Sequence, residues 1–139
     1  MAEAAVKGSV TARVIAKKDI YTKIGGKVEI RIRKGMKDAI EHLILVTREL
    51  IATPYPPASS SGHPPHMRTG DLARSIKVGT IKREGNTITG GIKIEGVDYA
   101  LMLEYGTSRF APRPYFRPAL VIAKAEMVSI LKRRFVRIA

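Results

Sequence analysis

The chain has 139 residues, 45% of them hydrophobic, no cysteine, and 25 lysines and arginines against 12 acids, for a formal charge of +13. That length fits one domain, residues 1–139, with a modest core, and the absence of cysteine excludes disulfides, thiolate metal sites and a thiol nucleophile. No apolar run approaches the ~20 residues needed to cross a bilayer, and the N-terminus lacks an apolar signal segment, so the expectation is a protein made in the cytoplasm with no membrane contact.

The charge is uneven. Residues 1–37 hold ten cations against three acids, and residues 117–139 hold six against one. Lys17, Lys18, Lys23, Lys27, Arg31, Arg33 and Lys34 crowd the first part, and Lys132, Arg133, Arg134 and Arg137 the last. Such clusters suit a polyanion or the acidic face of a partner protein. A solvated surface accounts for them equally well, and cations near a helix C-terminus also complement its dipole.

In chain order, residues 1–27 read as a basic leader containing a strand at 9–15, where Val10, Ala12 and Val14 alternate. The Gly25-Gly26 pair should break any helix begun at Asp19. Met36, Ile40, Leu43, Thr47, Leu50 and Ile51 recur at helical spacing and predict one long helix over 28–52, ended by Pro54, Pro56 and Pro57. Val28, Ile30 and Ile32 also alternate, which leaves a strand before Gly35 as the other reading of the helix start. Residues 53–68 form a Pro/Ser-rich loop, expected to be mobile. Its His63 and His66 have no accompanying acid, and prolines between them oppose a metal-binding pair. Ser59 to Ser61 beside those histidines lack the rigid scaffold and third orienting group of a catalytic triad.

Thr69, Gly70, Asp71 and Leu72 look like the start of a short helix, with a hydroxyl able to cap and an acid in the first turn. Residues 76–82 and 87–95 then read as a hairpin. Ile76, Val78, Thr80 and Lys82 share one face, matched by Ile88, Gly90, Ile92 and Ile94, and Gly90 and Gly91 imply a bulge or a close backbone approach.

Residues 99–120 are the organising stretch. An apolar turn, 99–105, meets a Gly-Thr-Ser break at 106–108, and a loop follows that is stiffened by Pro112, Pro114 and Pro118. Proline restricts its own φ and biases the preceding residue toward extended geometry, so Arg113 and Arg117 should be extended. Pro118 sits where a helix can begin. Glu104 is an acid in an apolar turn near Arg109, Arg113 and Arg117. It is either an ion pair pinning this strap or joining two subunits, or a solvated acid. Residues 117–138 read as an amphipathic helix with Leu120, Ala123, Met127, Ile130, Leu131 and Phe135 on its apolar face.

The predicted fold is α+β: an antiparallel sheet of three to four short strands, packed by the long helix and the C-terminal amphipathic helix.

Three segments together resemble a known family. Thr69-Gly70-Asp71-Leu72-Ala73-Arg74-Ser75-Ile76 is similar to a TG-x-L-x-x-S-I signature. Tyr99-Ala100 with Glu104-Tyr105-Gly106-Thr107 is similar to Y-A-x-x-x-E-(aromatic)-G-T. Arg113-Pro114-Tyr115-Phe116-Arg117-Pro118-Ala119-Leu120 is similar to an R-P-F-(L/F)-R-P-A-(L/F) ending. In this order they resemble the neck and tail-completion proteins of long-tailed bacteriophages, which include the Z-like minor tail proteins of lambdoid phages. The likeness covers residues 36–135.

The resemblance implies a structural virion protein of the head-tail junction, assembled in the host bacterial cytoplasm. It would form a homo-oligomeric ring that joins tail to connector around the DNA channel, without catalysis, metal or cofactor. Its partners would be connector or tail tube proteins, with possible non-specific contact to genomic DNA. Thr69, Gly70, Leu72, Tyr99, Glu104, Tyr105, Gly106, Thr107, Arg113, Pro114, Phe116, Arg117 and Pro118 would form its interface strap. The other reading, carried by the basic ends, is a nucleic-acid-binding protein without sequence preference.

Overall fold

A computed structural model describes residues 2–5, 9–12, 14–17, 26–84 and 87–136. The strands are β1 (Ala2–Ala5), β2 (Ser9–Ala12), β3 (Val14–Lys17), β4 (Ile76–Val78), β5 (Lys82–Glu84), β6 (Thr87–Gly90) and β7 (Ile92–Ile94). The helices are α1 (Gly26–Leu50), α2 (Asp71–Ser75), α3 (Ala100–Tyr105) and α4 (Phe116–Val136). The fold is α+β, as the sequence implies.

The strands form small antiparallel sheets, β1-β2, β3-β6-β5 and β4-β7. Only Gly91 separates β6 from β7, and β2 lies beside β7 just as β3 pairs with β6. The described strands thus make three small sheets set next to one another. The N-terminal strand predicted at 9–15 is present as β2 and β3, and β1 was not anticipated.

The hairpin's interruption has a definite cause. Val78 pairs with Ile92 and Lys82 with Thr89, so residues 79, 80 and 81 of one strand face only 90 and 91 of the other. The extra residue is a bulge, and it reverses which side chains point inward. Ile76 and Val78 face the core before it and Ile81 does so after it, while Thr80 and Lys82 are exposed. This corrects the expectation that Thr80 and Lys82 share the face of Ile76. On the partner strand Ile88, Ile92 and Ile94 are all buried, as alternation requires.

Gly90 is the close approach. A Cβ there would meet Ile40 Cδ1 at 3.0 Å, Ile81 Cγ1 at 3.2 Å and Met36 Cε at 3.3 Å. The missing side chain lets α1 lie directly on β6. Gly90→Ala should overpack this contact and lower stability by about 1–3 kcal/mol in urea denaturation; an unchanged midpoint would show that α1 and the sheet are not so closely seated.

α1 begins at Gly26, so the helical reading of Val28, Ile30 and Ile32 prevails over the alternating one. Ile32, Met36, Ala39, Ile40 and Leu43 make the buried face, and Ile51, just past the helix end, is also buried. Thr47 is buried too, and its hydroxyl donates to Leu43 O at 2.7 Å, which leaves no polar atom unmatched. α1 and α4 lie side by side. Arg134, late in α4, bonds Asp38 midway along α1, while Arg113, just before α4, lines the same cavity as Ile51, just after α1, so the two helices run antiparallel.

In α4, Ala123 and Met127 are buried as expected, with Leu120, Ile130 and Leu131 partly so, and Phe116 and Ala119 extend the stripe toward the N-terminus. The side chain of Phe135 lies outside the described set. A second apolar group stands in solvent: Val121 is 80% exposed, Ile122 58% and Val128 41%. Both helices share one core with Ile76, Ile92 and Ile94 of the sheet, and with Leu72, Ala100 and Tyr115. No described helix is long and apolar enough to cross a membrane.

Candidate functional site

α3 places Ala100 and Glu104 one turn apart, so both point inward. Glu104 is 2% exposed. Its Oε2 accepts the backbone N–H groups of Tyr115 and Phe116, and its Oε1 that of Arg117, each at 3.0 Å. These are the donors a helix N-terminus leaves without intrahelical partners. The fourth, at Pro118, does not exist, and the regular ladder starts with Ala119 N–H donating to Tyr115 O at 3.3 Å. One carboxylate from α3 therefore caps α4 completely, where the helix dipole favours a negative charge.

The ion pair expected of Glu104 is present with Arg117, as its longest contact, while the backbone amides are its close partners. Arg117 Nε approaches Oε1 only to 3.9 Å, from a largely exposed side chain, and its guanidinium lies 4.5 Å from the centre of the Tyr105 ring. Arg113 turns elsewhere, its Nη1 donating to Ser59 Oγ at 3.2 Å, and Arg109 is exposed. Backbone amides win because they sit fixed at hydrogen-bonding distance, whereas a flexible cation would have to be desolvated to reach the carboxylate. Arg117 is also helical rather than extended. The second position of a helix tolerates a following proline, because the amide removed has no intrahelical acceptor there.

Tyr115 completes the joint, its hydroxyl donating to Ala100 O at 3.0 Å. Burial, and then the nearby Glu104 carboxylate, raise its phenol well above the ordinary tyrosine range. The folded state thus keeps a proton that the unfolded chain releases near pH ~10. This stabilising contribution is complete below that pH and is lost as pH rises toward the raised folded value. Tyr115→Phe should flatten the alkaline limb of a stability-versus-pH series and lower stability at neutral pH by about 1 kcal/mol through the lost hydrogen bond. An alkaline limb identical in both proteins would refute the assignment.

Between α3 and α4 the strap is knotted by its own backbone. Gly106 N–H donates to Met102 O at 2.8 Å, and Thr107 N–H to Phe110 O at 3.0 Å. The Thr107 hydroxyl accepts Arg109 N–H at 3.1 Å and Phe110 N–H at 3.3 Å. Arg113 N–H donates to Leu103 O at 2.7 Å, drawing the strap back across α3.

The loop read as mobile is clasped at both ends. Tyr55 N–H donates to Met67 O at 2.9 Å, and Met67 N–H to Thr53 O at 2.7 Å. Gly62 N–H reaches Pro112 O at 2.9 Å, and buried Ser59 holds Arg113, so the loop lies on the strap. His66 Nδ1 is within hydrogen-bonding distance of Pro57 O, and His63 Nδ1 is 3.3 Å from Ser61 O.

α2 begins after Gly70, whose φ is 83°. The Thr69 hydroxyl accepts Asp71 N–H at 3.3 Å and donates to Asp71 Oδ2 at 2.8 Å, while Arg74 Nη2 donates to Asp71 Oδ1 at 2.6 Å. The Thr69 hydroxyl and then Arg74 hold the Asp71 carboxyl below its usual range. The cap expected of Thr69 is thus made one residue outside the capping position, which Gly70 occupies.

The three motifs, far apart in sequence, line one cavity of about 680 Å³. Thr69, Gly70 and Leu72 come from the first, Tyr99 and Leu103 from the second, and Arg113 from the third, with Phe110 between. Burial, and then the Asp71 charge across the cavity, raise the Tyr99 phenol. Tyr55, Met67, Tyr99 and Phe110, which line the cavity, are all large and at least a third exposed. Pro114 is half-buried beside Tyr115 and Phe116, which are fully buried core residues rather than surface contacts.

The antiparallel packing sets the last turns of α4 beside the stretch of α1 around Gly35 and Asp38, which brings the exposed cations Arg31 and Lys34 of α1 near Lys132 and Arg133 of α4. Several expected polyanion contacts are engaged internally. Arg33 pairs with Glu29 at 3.0 Å and donates to Ile81 O at 2.9 Å, Arg133 pairs with Glu126 at 2.7 Å, and Arg134 Nε bonds Asp38 at 3.1 Å. Lys18, Lys23 and Arg137 lie outside the described residues, and Lys17 and Lys27 are placed by their backbone alone, in β3 and α1.

The three-amide clamp, the Thr107 knot and the Ser59–Arg113 link were not visible in sequence. The available hint was an acid in an apolar turn followed, fourteen positions on, by a proline in a helix's first turn. Compared with family models, with curated proteins and with solved structures, the chain matches none.

Proposed function

We propose that this chain is a structural subunit of the head-tail junction of a long-tailed bacteriophage, a neck or tail-completion protein that forms a ring joining tail to connector around the DNA channel. The observation that carries the reading is the convergence of the three family-like motifs on one cavity, where a buried carboxylate of the second clamps the third and aromatic and methionine side chains stand at the mouth. Exposed aromatics on a backbone-locked surface suit protein docking, because little conformational entropy is lost on contact. The role needs no catalytic group: Ser59 is committed to Arg113, and His66 lies against a backbone carbonyl. A head-to-tail arrangement of such subunits closes into a ring when the rotation between neighbours permits.

The cations brought together by α1 and α4 support a second reading, contact with nucleic acid through phosphates alone. In the ring they would face the lumen; in isolation they would make the chain a non-specific DNA-binding protein. Electron microscopy with solution mass measurement, joined to co-sedimentation with purified phage heads and tails, tests the first reading. Rings with a central hole, or co-sedimentation with either particle, support it. A chain that does neither, yet binds duplex DNA with steep salt dependence, overturns it in favour of the second.

A further inference from the structure

The cavity behind the strap has a definite chemistry. Its apolar wall comprises Ile51, Leu72 and Leu103, deep to a mouth of Tyr55, Met67, Tyr99 and Phe110, each about 40% exposed. Large apolar groups left in water around a concave, apolar floor mark a docking groove rather than ordinary surface. The acid at its edge, Asp71, is already held by the Thr69 hydroxyl and Arg74. Two cations remain facing an incoming group: Arg68, stacked 4.5 Å from the centre of the Tyr55 ring, and Arg113, tethered to Ser59.

We propose that this groove docks an acidic segment of a different protein, which inserts one bulky apolar side chain between Tyr99 and Phe110 and sets a neighbouring carboxylate against Arg68 and Arg113. Charge complementarity selects that occupant. The exposed apolar face of α4, Val121, Ile122 and Val128, is the obvious candidate from a second copy, but it is flanked by Lys124 and Lys132. Bringing those cations to a cationic rim is repulsive, and both chains carry +13. An acidic partner gains from both the apolar floor and the rim. Arg forks suit carboxylates, and their stacking or tethering reduces the ordering cost. The groove accepts such a segment whether or not the chain forms a ring.

The test is fluorescence anisotropy of the full chain with a short fluorescein-labelled peptide carrying one phenylalanine between glutamates. The expected result is saturable binding, weakened about 10-fold or more when the peptide phenylalanine becomes serine, and abolished when its glutamates become lysines. On the protein, Phe110→Ala and Arg68→Glu should each weaken binding about 10-fold; both side chains are exposed, and circular dichroism confirms folding. Three results overturn the proposal. The first is no binding up to millimolar peptide. The second is binding that follows acidity alone, indifferent to the phenylalanine and to Phe110→Ala, which is generic attraction to a cationic chain. The third is self-association in sedimentation that excludes the peptide, which makes a second copy the occupant.

Discussion

Glu104→Ala is expected to lower the unfolding free energy by about 3–5 kcal/mol and the melting temperature by roughly 10–20 °C. The substitution removes one carboxylate but strands three donors, the N–H groups of Tyr115, Phe116 and Arg117, in a site where Tyr115 and Phe116 are fully buried. Each unsatisfied buried donor costs about 1–3 kcal/mol, and the α4 N-terminus also loses the charge that complements its dipole. Glu104→Gln preserves shape and one acceptor but turns an NH2 group toward amide donors, so about half the loss is expected. Glu126→Ala, at an exposed acid paired with Arg133, serves as the control and should stay within about 0.5 kcal/mol of the parent. Urea denaturation gives the energies, and hydrogen exchange at the amides of 115–117 locates the effect. If Glu104→Ala unfolds within 1 kcal/mol of the parent, α4 is not held by this clamp.

The second large effect is at Gly106, where two separate constraints coincide. Its φ of 73° with ψ of 178° belongs to a region that residues with a side chain rarely occupy. A Cβ there would also stand 2.8 Å from Pro112 N, 2.9 Å from Pro112 Cδ and 3.1 Å from Phe110 O. Those are backbone and ring atoms that cannot swing aside, so Gly106→Ala must displace the strap. A loss of about 3–4 kcal/mol is expected, with about 1–3 kcal/mol of it from the dihedral alone. Gly96 separates the two parts, since its φ of 74° is also positive but a Cβ there would meet nothing within 4 Å. Gly96→Ala should therefore cost only about 1 kcal/mol. Equal losses at the two positions would mean that the crowding by Pro112 is unimportant. Because the strap forms part of the cavity mouth, Gly106→Ala should also weaken peptide capture, whereas Gly96→Ala should leave it unchanged.

Particular elements show how far local sequence carries. The period of Met36, Ile40 and Leu43 was sufficient for α1, because a helix's buried face recurs every three to four residues whatever it packs on. The prolines after residue 52 ended it for equally local reasons. The hairpin was legible in its second strand, where Ile88, Ile92 and Ile94 alternate without interruption. It was misread in its first, because a one-residue bulge at 79–81 reverses the facing and depends on pairing across the sheet. Tyr99, Glu104 and the proline strap stood out by composition, yet the close partners of Glu104 did not: backbone N–H groups are present at nearly every residue and carry no sequence signature.

What the sequence determined by itself was the class of the fold, the position of its two long helices and the presence of a stiff, aromatic, arginine-rich strap. All of these follow from periodicity, proline geometry and composition, which act over a few neighbouring residues. Tertiary structure alone decided that three distant motifs line one cavity, that one carboxylate completes the first turn of another helix, and that cations of α1 and of the end of α4 come close together. Those outcomes depend on which elements lie side by side, and that is set by the burial of the common core rather than by any segment's own preference.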